Sequence, residues 1–202
     1  MHIADGIIDT KICVAAYVVC GGLIYYSGKK MELEDVPKTG MMGAALFVTS
    51  LVHFPLAGTS VHLGLFGLAG ILLGKKAFPA VFTALLFQTL IFQHGGLLTL
   101  GVNSLNMGAG AFVAYLIWQI KNLPEYLRSV LAGFFGIMIP AVLMSLEFRF
   151  SGYGKGIVYL FSIYLLAAAI EGAITFSAVK FIKRVNPAIL LSHKKHGQSM
   201  DD

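Results

Sequence analysis

The chain has 202 residues, of which 57% are hydrophobic and only 12% are charged, and its mean hydropathy is +0.79. An ordinary soluble domain carries roughly twice that charged fraction, so the composition excludes one and indicates a single membrane domain. A net charge of +5 would suit a nucleic-acid partner, but the positions of the basic residues, given below, argue against nucleic acid.

The first nine residues do not have the pattern of a secretory leader. They lack a basic start, and Asp5 and Asp9 precede the first apolar run. We therefore expect the start of the chain to be kept. Initiator methionine is normally removed only before a small residue, and His2 is not small, so a free Met1 amine beside His2 is expected.

Apolar runs predict an all-α integral membrane protein with about seven transmembrane helices. The runs cover approximately residues 10–27, 40–56, 61–74, 77–93, 104–120, 129–148 and 157–182. Several are shorter than the roughly 20 residues of a simple span. Short or glycine-broken runs indicate helices that stop inside the membrane, where irregular backbone lines a cavity or is covered by protein. The segments 53–62 and 94–106 are two such places.

The basic residues predict the orientation of the helices. With the amino terminus outside and seven spans, 12 of the 15 lysines and arginines lie on the inner side, and Lys11, Arg149 and Lys155 lie outside. This bias follows the positive-inside rule, so the basic pairs are interpreted as topology anchors. Residues 1–187 then form one membrane domain, and residues 188–202 form a polar cytoplasmic tail in which metal binding by His193 and His196 is not expected.

Small residues recur four positions apart in the pairs Gly40/Ala44 and Gly70/Gly74. This spacing lets membrane helices approach closely. We favour packing inside the bundle, and the alternative is docking onto another membrane subunit.

A histidine at position two has an unusual option in metal binding. The Met1 amine, the His2 backbone nitrogen and the His2 Nδ1 can bind one ion through a five-membered and a six-membered chelate ring. Ni(II) and Cu(II) promote loss of the amide proton, and three coplanar nitrogens suit their tetragonal geometry. One more imidazole would complete the plane. The alternative interpretation is that the second residue has no role.

Three further histidines fall on the same predicted face of the membrane as His2. They are His53, His62 and His94, each in a segment broken by glycine or proline. An imidazole at membrane depth is a functional candidate by default. A single one can also merely satisfy a backbone carbonyl, so not all three need be ligands.

Several motifs, taken together, resemble a known family. The start Met-His-Ile-Ala-Asp-Gly resembles the Met-His-Ile-Pro-Asp-Gly opening of the CbiM/NikM family, the substrate-binding components of energy-coupling-factor cobalt and nickel transporters. Residues 58–62, Gly-Thr-Ser-Val-His, resemble its Gly-Thr-Ser-Gly-His motif. Residues 94–103 resemble its His-Gly-Gly-Leu-Thr-Thr-Leu-Gly-Ala-Asn block, and Glu171–Thr175 is similar to a final-helix pattern.

The resemblance implies a ligand set and partners. The ligands would be the Met1 amine, the His2 amide nitrogen and imidazole, and the His62 imidazole. The ion, Ni(II) or Co(II), would be the transported substrate, with no resident cofactor and no enzyme activity in this chain. The partners would be a membrane coupling subunit, two cytoplasmic ATPase subunits and a small accessory membrane subunit. The chain lacks a phosphate-binding Gly-x-x-x-x-Gly-Lys-Ser/Thr motif of its own.

The chain departs from the family pattern at two places near the predicted ligands. Ala4 replaces a proline that would stiffen the terminus, and Val61 replaces a glycine beside His62. His53, His94 and Asn103 are candidates for orienting a ligand, and for His94 and Asn103 a role in loop structure is equally open. Glu171 and Thr175 are interpreted as polar packing groups, with a partner interface as the alternative.

Three other functions fit parts of the sequence. A vitamin-binding component of the same transporter class would be indifferent to changes at His2. A tetrahedral zinc site would use His2, His53, His62 and His94. An intramembrane hydrolase would pair Ser60 with His62, but its acidic partner could only be Asp5, Asp9 or Glu147, and none completes a triad pattern.

Overall fold

The computed structural model describes residues 2–56, 59–152 and 157–191, and gives only the backbone for 53–56, 59–61, 157–160 and 191. Over this part of the chain the architecture is helical, as expected, with one short β-hairpin in a loop. The elements are α1 (Thr10–Lys29), α2 (Asp35–Leu51), β1 (His53–Leu56), β2 (Thr59–His62), α3 (Phe66–Leu73), a 3₁₀ turn (Gly74–Lys76), α4 (Ala77–Phe92), α5 (Leu100–Trp118), α6 (Glu125–Phe150), α7 (Ile157–Val185) and α8 (Ala188–Leu191).

α3 and α4 form a helical hairpin whose turn is the 3₁₀ segment. Gly74 has a φ of +57°, which favours glycine there. The Lys75 carbonyl accepts a hydrogen bond from Ser27 Oγ at the end of α1, and Lys76 pairs with Asp35 at the start of α2. At eight residues, α3 is only about 12 Å long. Non-helical backbone therefore makes up the rest of its path, as the short run predicted.

The two ends of the bundle carry different side chains. We call the end that holds His2, His62 and His94 the histidine end, because their three rings are neighbours. The end that holds Lys29, Lys75 and Lys76 is the lysine end, and the chains between α1 and α2 and between α3 and α4 turn there.

The described chain contains five segments that are long and apolar enough to cross a membrane. They are Thr10–Lys29, Phe66–Phe92, Leu100–Trp118, Glu125–Phe150 and Phe161–Val185. Phe66–Phe92 includes both α3 and α4, between which the chain turns back. Large apolar side chains such as Val18 and Phe181 are exposed, as expected of surfaces that face lipid. The multi-pass character is thus confirmed, and the total of seven spans remains a prediction.

Small residues allow the central helices to meet backbone to backbone. A Cβ added to Gly70 would overlap the Ala111 carbonyl oxygen of α5, and one added to Gly67 would lie 2.5 Å from Gly133 Cα of α6. The packing interpretation therefore holds for Gly70. Gly40, in contrast, lies on the exposed surface of α2 with open space around it, so it does not pack inside this bundle.

The carboxyl-terminal part of the described chain packs back on the bundle. Leu190 is buried, and Lys38 Nζ donates to the Ile189 carbonyl at 3.1 Å, which holds α8 at the lysine end. The predicted tail begins at residue 188, and its part from 192 to 202, with both of its histidines, lies outside the described residues.

Candidate metal-binding site

The segment before α1 is fixed by the start of α5. Ile3 is fully buried; its N–H donates to Asn103 Oδ1 at 2.9 Å, and its carbonyl accepts from Asn103 Nδ2 at 3.0 Å. Thr99 Oγ1 donates to the same carbonyl at 2.7 Å. One asparagine therefore satisfies both backbone groups of the residue that follows His2, and we call this pair of bonds the Asn103 clamp.

Asp5 adds a second attachment between the same two elements. Its Oδ1 accepts from the Thr99 backbone N–H at 2.9 Å and lies 3.2 Å from Thr99 Oγ1, the hydroxyl that donates to the Ile3 carbonyl. Thr99 precedes the first residue of α5, so Asp5 caps this helix from another part of the chain and places negative charge at the positive end of its dipole.

Two glycines let the loop after α4 close over this segment. Gly95 has a φ of +80°, and a Cβ there would lie 3.3 Å from His2 Cβ. A Cβ on Gly96 would overlap Asp5 Oδ1 and lie 2.6 Å from the Asp5 backbone nitrogen. The His-Gly-Gly sequence thus brings His94 to the amino-terminal segment by removing the side chains between them.

Three imidazoles meet at the histidine end, and we call them the histidine cluster: His2, His62 and His94. The His2 ring is stacked on His62 with centroids 4.9 Å apart and on His94 with centroids 5.7 Å apart, each at 19°. The His62 and His94 centroids are 6.4 Å apart. These residues are 60 and 92 positions from His2 in the sequence, so the fold alone brings them together.

The environment of His2 favours its neutral form. Burial lowers the pKa of the His2 imidazole well below its ordinary value of 6.5, and the neighbouring His62 and His94 rings lower it further. Among the described residues its Nε2 is buried without a hydrogen-bond partner. A neutral imidazole is the form that binds metal ions, so this environment keeps His2 competent at neutral pH.

His62 is buried, and one of its ring nitrogens has a backbone partner. Its Nδ1 lies 3.2 Å from the Leu63 carbonyl oxygen. Because a carbonyl can only accept, Nδ1 carries the proton in this bond, which leaves the lone pair on Nε2. The His62 Nε2 is therefore the ring nitrogen that can accept a hydrogen bond or bind an ion.

The backbone after His62 is held by a carboxylate from α7. Glu171 is 1% exposed, and its Oε1 accepts from the N–H of Gly64 and, at 3.0 Å, from that of Leu65. The sequence interpretation of Glu171 as a polar packing group, with a partner interface as the alternative, does not include this contact. The available signal was an acidic residue inside a long apolar helix, which is costly and usually functional.

Four further residues were predicted at the site: Asn103, His94, His53 and Met1. Asn103 bonds to the backbone of Ile3, and His94 stacks on His2, so both support the position of His2. His53 pairs in register with His62 in the hairpin, but its side chain lies outside the described residues, as does Met1. In the described part of the chain no three His, Cys, Asp or Glu side chains form a metal site by themselves.

The fold and this cluster define a class of protein: a multi-pass protein of the cell membrane with histidines gathered at one end of its helical bundle. The chain belongs to the CbiM family, because the family model described as the cobalt uptake substrate-specific transmembrane region matches residues 2–189. It is therefore a transmembrane component of cobalt or nickel uptake, and the family resemblance seen in the sequence is confirmed.

Individual relatives and a solved structure agree with this assignment. A protein of Archaeoglobus fulgidus, named a putative fused nickel transport protein NikMN, is 30% identical over 200 residues, with 94% of this chain and 68% of the relative covered. A protein of Methanocorpusculum labreanum, named a putative fused cobalt transport protein CbiMQ, is 28% identical, with 95% and 36% covered. A crystal structure of a transition metal transporter has a TM-score of 0.82 at 26% identity, covering 98% of this chain and 100% of that one. By their names, both of these relatives are fused transport proteins.

Proposed function

We propose that the chain captures Ni(II) or Co(II) with four nitrogens, the Met1 amine, the His2 amide, the His2 Nδ1 and the His62 imidazole, and delivers the ion for uptake. The observation that supports this most directly is the position of His2, whose ring centroid lies 4.9 Å from that of His62. The His62 Nδ1 contact with a carbonyl leaves Nε2 as its donor atom.

The Asn103 clamp gives this site its order. A chain terminus is normally mobile, and a chelate built on one loses affinity by the cost of ordering it. With Ile3 buried and bonded on both sides, the clamp supplies part of that ordering next to His2. Because the His2 and His62 rings are stacked at 19°, and imidazole lone pairs lie in the ring plane, at least one ring turns when the ion binds.

The orientation and the partners belong to the same proposal. The positive-inside rule puts the lysine end in the cytoplasm and the histidine end outside, so high-affinity capture occurs at the extracytoplasmic face. Uptake is driven by a membrane coupling subunit and two cytoplasmic ATPase subunits, with a small accessory membrane subunit. The fused relatives named NikMN and CbiMQ support membrane partners.

The decisive experiment blocks the Met1 amine by acetylation, which removes the first of the four proposed nitrogens. Nickel and cobalt binding to the purified full chain is measured by titration calorimetry, with the absorption spectrum of the bound ion as a second readout. Acetylation should abolish stoichiometric binding while circular dichroism shows the helices intact, and His62→Ala should weaken it. His196→Ala, in the predicted tail, is the matched control and should bind normally. Stoichiometric nickel in the acetylated protein would reject the proposed ligand set.

A further inference from the structure

Glu171 is a buried carboxylate in the middle of α7, in a segment apolar enough to cross a membrane. An acidic side chain at such a place is costly unless specific contacts compensate for it. Its described hydrogen bonds come from the backbone N–H groups of Gly64 and Leu65. These residues follow His62 by two and three positions, so the carboxylate bonds to the segment that carries the proposed fourth ligand.

That segment needs an acceptor from outside. Leu65 immediately precedes α3, has a φ of +49°, and gives the helix no side-chain cap. The first N–H groups of a helix have no partner within it, and a branched residue in this backbone region is strained. Glu171 Oε1 supplies an acceptor for the Leu65 N–H at the start of α3 and for the Gly64 N–H in the turn before it.

Glu171 is bonded to the turn through only one of its two carboxylate oxygens among the described residues. Only Oε1 bonds to the turn, while Oε2 is buried without a hydrogen-bond partner among the described residues. A displacement of α7 relative to α3 would therefore break both bonds together, and this side chain has no other described hydrogen bond to the turn.

We infer that Glu171 is the positioning residue that holds His62 in its ion-binding place and links that place to α7. The inference rests on the proposed role of His62 as a ligand. When α7 and the turn move apart, His62 withdraws from the ion and the site is left with the amino-terminal nitrogens alone. By linkage, an ion bound through His62 in turn stabilises the contact of Glu171 with Gly64 and Leu65.

Amide hydrogen exchange on the full chain tests the link directly. Without metal, Glu171→Met should speed exchange at Gly64 and Leu65 and leave Ile3, which Asn103 holds, unchanged. Nickel affinity should fall about 10- to 100-fold, as when a ligand loses its supporting partner. Glu171→Gln keeps a neutral acceptor, which is about half as strong, and should lie between. Thr175→Val, one turn further along α7 and also buried, is the matched control and should match the wild type.

The outcomes separate this inference from the proposed function. Unchanged exchange at Gly64 and Leu65 in Glu171→Met would overturn it. If that variant does not fold, as faster exchange at Ile3 would show, Glu171→Gln decides: faster exchange at the two amides alone supports the link, and wild-type exchange overturns it. Nickel should slow exchange at both amides in the wild type but not in His62→Ala. Normal nickel binding by His62→Ala would instead reject the ligand assignment, while the metal-free exchange result still reports on the contact.

Discussion

Replacing Asn103 with alanine removes the clamp on Ile3 and tests whether the order of the amino terminus controls metal affinity. The Ile3 carbonyl keeps Thr99 Oγ1, but the Ile3 N–H loses its described acceptor while Ile3 stays fully buried. A buried donor without a partner costs about 1–3 kcal/mol, and the lost second bond adds about 0.5–1.5 kcal/mol. We take about 2–3 kcal/mol, which corresponds to ~30- to 140-fold in affinity at 1.4 kcal/mol per tenfold.

This figure is an upper value, because the contacts of Asp5 with Thr99 still hold the segment in the variant. The assay is calorimetric titration of nickel into the purified chain, compared with the wild type. Ser104→Ala is the control: Ser104 is the next residue of α5, is equally buried, and its hydroxyl has no hydrogen-bond partner among the described residues. Wild-type affinity in Asn103→Ala would refute the reasoning, and equal losses in both variants would point to a general defect of α5.

Two further predictions concern acid stability and the glycine loop. The pKa of His2 is lowered by burial, so between that value and 6.5 the unfolded chain binds a proton that the folded chain does not. The metal-free protein should therefore lose thermal stability as the pH falls below 6.5, and His2→Gln should flatten this dependence in melting curves recorded from pH 7 to 5; an unchanged slope would contradict it. Gly96→Ala should destabilise the loop by about 1–3 kcal/mol, because its Cβ overlaps Asp5, and should weaken nickel binding. Gly21→Ala, with open space around it, is the control, and equal melting temperatures and affinities for the two variants would rule the overlap out.

The sequence predicted helices well where one apolar run is one straight element. The run at 10–27 corresponds to α1 (Thr10–Lys29). The hydropathy prediction was less accurate where polar residues belong to a helix. The run at 40–56 corresponds to α2 (Asp35–Leu51), which starts at charged residues. The helix also ends before the apolar strand β1, which the run had included. Hydropathy measures burial in lipid and not backbone conformation, so it could not tell the strand from the helix before it.

The sequence predicts which side chains are proposed as ligands but not the contacts that hold them in place. His2 and His62 carry recognisable chemistry and a recognisable motif, and the structure brings their rings together. The Asn103 clamp joins positions 100 residues apart, and the contact of Glu171 with Leu65 joins positions 106 apart. Neither partner has a local pattern that points to the other, because a backbone N–H can bond to any acceptor that the fold delivers.

These supports divide the proposed site between two helices. Three of the four nitrogens belong to Met1 and His2, and α5 orders this part through Asn103 and Thr99. The fourth belongs to His62, and α7 orders its segment through Glu171. A donor atom that detaches from a chelate ring stays close to the ion and rebinds readily, whereas the separate imidazole can move away with its own segment. A transporter must bind tightly on one side of the membrane and release on the other. We therefore expect release to begin at His62, through movement of α7 relative to α5, with the terminal chelate giving up the ion last.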